Sequence, residues 1–273
     1  MSHKKCVVEI FEYPVKSMRG NSLEKAFVTA YGLDKDRTVA VIDADNKIVT
    51  GREYPRLLSI ESRIDNLQLK VSIASDTYSF SLPNEQDEMV EIKLFRNTVS
   101  GILLNSETSS LVSKFLDGNF RMIYMGKNFR PISPKHGGRE GEHMAYADSA
   151  PVHLLNLETL KHLNSELSDK VSVRNFRPNI VIDGYQAFEE NTWDMIQINE
   201  CMFRVQEKTQ RCVFTTIDPD TLDKNEQLEP LATIAKTGLA RGLGPAFGIN
   251  LVPITEGFIA QGDIVKVIKK LEK

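Results

Sequence analysis

Cysteine is scarce in this chain. Its 273 residues contain three, Cys6, Cys201 and Cys212. An odd, low count argues against a disulfide framework. With no CxxC pair, a thiolate set for structural zinc or an iron–sulfur cluster is also missing. Any cysteine chemistry must therefore come from a single thiol. Basic surplus is missing too: the formal net charge is −3, which disfavours a general nucleic-acid binder. No apolar run is long enough to span a bilayer. The start, Met1 to Cys6, lacks the apolar core and cleavage site of a secretory signal, and it has no long Arg/Ser-rich presequence. The expectation is a cytosolic, cytoplasmic protein with no membrane anchor. The five histidines (His3, His136, His143, His153, His162) form no HExxH spacing.

What is present is ordinary apolar content, 41%, enough for one large domain or two modest ones. The first half reads mainly as short strands: Val7 to Phe11, Thr38 to Ile42, Lys47 to Thr50, Leu67 to Ile73, Tyr78 to Leu82, Val90 to Leu94 and Thr98 to Leu103. Asp43 to Asn46 and Ser75-Asp76 have turn composition. A helix is expected after Asn105 or Ser106, with Leu111, Phe115 and Leu116 as its stripe and Gly118 as its stop. Phe120 to Tyr124 returns to strand. From Phe129 to Pro151 the composition shifts to Pro, Gly, His and charge, which marks an interdomain loop. Beyond it lie a strand at His153 to Leu155 and a helix capped by Asn156, with Leu157, Leu160, Leu163 and Leu167 along one face. Further strands fall at Ile180 to Ile182, Met195 to Ile198, Met202 to Val205, Ile249 to Ile254 and Ile264 to Ile268. The expected class is mostly β with a few helices (α+β), as a barrel or sandwich.

Four segments carry candidate chemistry: Tyr13 to Ser17, Asp34 to Arg37, Asn175 to Asn179 and Arg211 to Pro219. A thiolate is a nucleophile and a soft metal ligand; a thiol is neither. Arg211 adjoins Cys212, and Lys208 is close, so the setting reads as electropositive. The plain alternative for a lone cysteine is a small buried core residue, and Cys6 and Cys201 are read that way. Arginine forks match phosphate, and lysine adds a point charge. Lys16, Ser17, Arg37, Arg177 and Asn179 could together hold an anionic tail. Taken singly, each cation is read as a solvated surface charge or a salt-bridge partner. Spacing alone does not assemble them.

In this order, the segments YPVKS, KDR, YADSAP, NFRPNIVIDG, RCVFTTIDPDT and PAFGIN closely resemble the MOSC-domain proteins. The nearest branch is the mitochondrial amidoxime reducing component and its bacterial N-hydroxylated-base reductase relatives. The resemblance covers nearly the whole chain. It implies a MOSC N-terminal β-barrel domain over residues 1–125 and a MOSC β-barrel domain over 126–273. It implies a molybdenum cofactor (Mo-molybdopterin) whose metal is bound by Cys212, which would also be the catalytic residue. Lys16, Ser17, Arg37, Asp148, Ser149, Arg177, Asn179, Gln210, Arg211 and Asn250 match cofactor contacts. Gln210 departs from the serine common there, and Asp218 shares the cysteine motif with no role implied.

The resemblance further implies a molybdenum-dependent oxidoreductase that removes oxygen from small N-hydroxylated substrates of the amidoxime or hydroxylamine type. No cysteine-rich cluster motif is present, so electrons are expected from a separate ferredoxin-like or cytochrome b5-like donor and its reductase. Nucleic acid is not an expected partner. His143 and Asp148 are candidate proton donors. Three other readings stay open: a cofactor or sulfur carrier without turnover, a metal-free thiol hydrolase built on Cys212, and a binding protein with no cofactor.

Overall fold

A computed structural model describes residues 4–94, 97–236 and 244–272; Met1 to His3 of the N-terminal reading lie outside them. The chain is mostly strand, with four α-helices among the described residues. The largest sheet has eight strands, in the order Asn21–Leu23, Cys6–Glu12, Ile180–Asp183, Val152–Asn156, Ala246–Pro253, Cys201–Gln210, Trp193–Ile198 and Val265–Lys270. Backbone bonds from Val7 N to Asp263 O (2.9 Å), Gly262 N to Val7 O (2.8 Å) and Val265 N to Lys5 O (3.0 Å) join its two sides. The sheet therefore closes toward a barrel, which removes exposed edges.

Within this sheet, Val152–Asn156 runs parallel to Ile180–Asp183. Parallel neighbours need a crossover, and the helix Leu157–Glu166 supplies it. Asn156 caps that helix by accepting from Glu158 N at 3.1 Å. Its amide also donates to Gln186 O (2.8 Å) and to Glu190 Oε2 (2.9 Å), and Glu190 is fully buried. The barrel core holds Trp193, Ile196, Phe203, Ile249 and Leu251, all buried.

The first half adds a sheet of four strands in the order Val39–Ile42, Arg121–Tyr124, Asn97–Leu103 and Met89–Leu94, and another of Glu61–Asp65, Gln68–Ile73 and Asp76–Ser81. In the latter, Leu69 and Val71 are buried at alternate positions, as a half-covered strand requires. The helix Ser106–Leu116 starts on Asn105, whose side chain accepts from Thr108 N at 3.0 Å. Asp117, in a left-handed conformation, caps its end, one residue before the glycine expected to stop it.

Three findings go beyond the sequence reading. Cys6–Glu12 and Asn21–Leu23 lie in the sheet built by the second half. Lys25–Thr29 pairs with Gly257–Ala260, a long-range pairing that no local pattern signals. Lys47 to Thr50 forms no regular strand: it meets its neighbours through isolated bridges at Lys47 and Ile48 and a Val49 N to Val41 O bond (3.0 Å), and Thr50 O then accepts from Glu53 N and Tyr54 N as the chain turns.

Candidate functional site

Several elements end at one cleft with about 780 Å³ of non-protein space, and the ten expected cofactor contacts and Cys212 all line it. The first strand delivers Lys16 and Ser17. Lys16 N bonds Val39 O at 2.8 Å, and Ser17 takes a left-handed conformation at φ 69°. Arg37 (φ 53°) and Arg177 (φ 54°) are left-handed too. Such positions in non-glycine residues are costly, and they concentrate at functional sites.

Arg177 is placed by a short helix, Val173–Phe176. A reciprocal cap between Ser172 and Asn175 starts the helix, and left-handed Arg177 ends it. The chain then turns through Pro178 into the sheet. Asn179, buried there, accepts from His153 N (3.1 Å) and donates to Phe11 O (3.2 Å). Arg37 ties the two halves together. Its guanidinium donates to Asp36 Oδ2 (2.5 Å), Asn179 Oδ1 (3.2 Å) and Arg177 O (3.2 Å). The guanidiniums of Arg37 and Arg177 both lie over the Tyr13 ring, at 4.4 and 4.2 Å from its centroid.

Cys212 follows the long strand Cys201–Gln210 and begins the turn Val213–Thr216. Thr215 holds its carbonyl through N (3.0 Å) and Oγ1 (2.9 Å). The Cys212 thiol is exposed, whereas burial pushes the Cys201 thiol up to about 11. Gln210 is exposed at the strand end, in register with Ala246. Arg211 donates to Phe176 O at 2.7 Å.

Asp148 and Ser149 arrive on the segment after Phe129, which docks across Cys201–Gln210. Arg204 grips Glu142 (2.6 Å) and Gly137 O (3.1 Å), and Gln206 Nε2 bonds His136 O (2.5 Å) and Ser149 O (2.9 Å). Arg130, buried behind the cleft wall, donates to the carbonyls of Ala145, Ala147 and Asp148. Asn250 donates to Ser149 Oγ (3.0 Å) and accepts from Thr209 Oγ1 (2.7 Å).

The cleft carries Lys16, Arg37, Arg52, Arg177 and Arg211 against one lining carboxylate, Asp148. Burial works to raise the Asp148 carboxyl, but Lys16 and Arg52 outweigh it and hold it well below the usual carboxylate range. Burial pushes both Arg177 and Arg211 down to about 10. His153 is buried and held neutral by burial first, then by Arg211 and Arg37.

Residues 141–266 match the MOSC domain, and residues 4–119 match the MOSC N-terminal beta barrel domain. The chain is 31% identical to the human mitochondrial amidoxime-reducing component 1 over 279 residues, covering 96% of this chain and 82% of that one. It is 34% identical to the bovine mitochondrial amidoxime reducing component 2 over 240 residues, covering 82% and 70%. The chain belongs to the MOSC-domain family of the amidoxime-reducing components. Among its described residues, no helix is long and apolar enough to cross a membrane.

The cleft of this MOSC protein also contains residues the sequence did not single out. Arg52 donates to Cys212 Sγ at 3.4 Å, whereas Lys208, expected near the thiol, is exposed and outside the cleft lining. His153 and Phe214 line the cleft as well. His143 bonds Gly141 O at 2.9 Å and is not part of the lining. Asp218 organises its own turn by accepting from Asp220 N and Thr221 N, both at 2.8 Å. Arg174 joins that turn through Asp220 (2.9 Å), and Asn175 donates to Thr215 O (3.4 Å). These contacts, with the Arg211 bond to Phe176 O, tie the NFRPN and RCVFTTIDPDT segments to each other.

Proposed function

We propose that this protein is a molybdenum-cofactor-dependent reductase that removes oxygen from N-hydroxylated compounds, with electrons from a separate donor protein. The carrying observation is the cleft's unanswered positive charge. Among the described residues, Arg177 Nη2 and Arg211 Nε are buried with no hydrogen-bond partner. Leaving charged donors unmet is costly, and an anionic tail answers both. The donor set fits molybdopterin: arginine forks for a phosphate, buried amides at Asn179 and Asn250 for neutral polar edges, and one soft sulfur at Cys212 for the metal. The relatives' names as amidoxime-reducing components support the substrate class.

In this reading Lys16, Ser17, Arg37, Asp148, Ser149, Arg177, Asn179, Gln210, Arg211 and Asn250 hold the cofactor, and Cys212 ligates its metal. The bound group supplies two-electron redox chemistry at a soft metal centre. Overall, an N–OH group, two electrons and two protons yield N–H and water. Arg177 and Arg211 compensate the anionic charge; the Asn179 and Arg37 network positions Arg177, and the Phe176 carbonyl holds Arg211. Asp148 stays ionised, so it serves as a fixed counter-charge to Lys16 and Arg52. That makes it a poor proton donor at neutral pH.

The electron donor is ferredoxin-like or cytochrome b5-like, served by its own reductase. The test is reduction of an N-hydroxylated amidine by cofactor-loaded protein with a chemical electron donor. Turnover is expected in the wild type and lost in a folded Cys212→Ser variant. A loaded wild type that reduces nothing would instead be a carrier.

A further inference from the structure

The turn at residues 50–54 belongs to the N-terminal half, yet it docks on the cysteine turn of the MOSC half. Arg52 Nη1 donates to Cys212 Sγ at 3.4 Å and to Asp148 Oδ2 at 3.4 Å. Its side chain is 23% exposed, so it is largely withdrawn from solvent. A separate observation shows that the docking is close. A Cβ on Gly51 would lie 2.4 Å from Phe214 Cε2, so any larger residue here must displace either the Phe214 ring or the turn. The turn is also braced internally: Glu53 accepts from Thr50 N (3.1 Å) and Lys47 Nζ (2.8 Å), and Arg52 N bonds Thr50 Oγ1 (3.3 Å). Arg52 is thus aimed by its own half at the one exposed sulfur of the other.

From this geometry we propose that Arg52 is a positioning residue that hydrogen-bonds the Cys212 sulfur and raises the reduction potential of the bound metal. The inference rests on the cofactor reading above. A donor on a ligating sulfur withdraws electron density from the metal, and a fixed cation beside it favours the more reduced state. Asp148 shares the same guanidinium nitrogen, which fixes the fork between carboxylate and sulfur. The first-half domain then contributes to redox tuning as well as to the cofactor cleft.

The test compares the midpoint potential of bound molybdenum, followed by electron paramagnetic resonance, in wild type, Arg52→Gln and Arg52→Lys. Each protein is scored for molybdenum and pterin content. Arg52→Gln is expected to shift the reduction equilibrium at least tenfold toward the oxidised metal. That is about 59 mV lower for a one-electron step. Arg52→Lys, which keeps the charge and loses the fork, is expected to fall between. Gly51→Ala, which pushes the turn off Phe214, is expected to shift the potential in the same direction as Arg52→Gln and serves if the Gln variant fails to fold. Potentials unmoved in loaded Arg52→Gln or Gly51→Ala overturn this inference alone. A folded wild type that loads no molybdenum overturns the cofactor reading and this inference with it.

Discussion

Replacing Arg177 with methionine separates cofactor holding from fold maintenance. Methionine keeps the apolar stem and removes the charge. Burial has pushed the guanidinium from 12.5 to about 10, which corresponds to about 3 kcal/mol of disfavoured charge at neutral pH. The Tyr13 and Phe214 rings, at 4.2 and 5.5 Å, return about 1 kcal/mol each. The net effect in the cofactor-free protein is therefore an unfavourable residue, by about 1 kcal/mol. Arg177→Met without cofactor is expected to be as stable as wild type or about 1 kcal/mol more so, measured by urea unfolding. Cofactor retention should move the other way. Losing one charge-assisted hydrogen bond costs about 1.5–3 kcal/mol, roughly ten- to hundredfold in affinity. Pterin fluorescence during dialysis reads that loss. A variant about 3 kcal/mol less stable, yet retaining cofactor like wild type, refutes the reasoning and makes Arg177 a structural residue.

Asn156→Ala is expected to cost about 2–4 kcal/mol in chemical unfolding, because it removes a helix cap and strips a donor from buried Glu190; a loss under about 1 kcal/mol would contradict that. His153 is depressed well below 6.5 in the folded state, so the unfolded chain takes up its proton first as pH falls. Its contribution is fully present above pH 6.5 and is lost as pH drops from there toward the depressed folded value. Wild type should therefore lose about 1 kcal/mol more than His153→Gln between about pH 6.5 and pH 5.5, and parallel pH–stability curves would count against a neutral buried ring.

Much of the fold was legible because its signals are local. The Asn105 and Asn156 caps, the Leu160 and Leu163 face, and the alternation at Leu69 and Val71 all mark their elements directly. Pairings such as Lys25–Thr29 with Gly257–Ala260 were not, since a five-residue strand carries no information about a partner more than two hundred residues away. The site divides in the same way. The candidate cofactor positions were legible through segment resemblance, and the fold brings all of them to one cleft. Arg52 was missed because it sits outside those segments; the fold of its turn against Phe214 and Asp148 brings it to Cys212. His153 read as an ordinary strand residue, because a lone histidine in an apolar run gives no hint of lining a cleft beside Arg211 and Arg37.

The central claim is tested most directly by molybdenum and pterin analysis of wild type and Cys212→Ser, each purified from a host that makes the cofactor. The account predicts near-stoichiometric molybdenum with pterin in the wild type, and altered ligation or loss of the metal in Cys212→Ser. A folded wild type with neither, beside a control protein loaded in the same host, contradicts it.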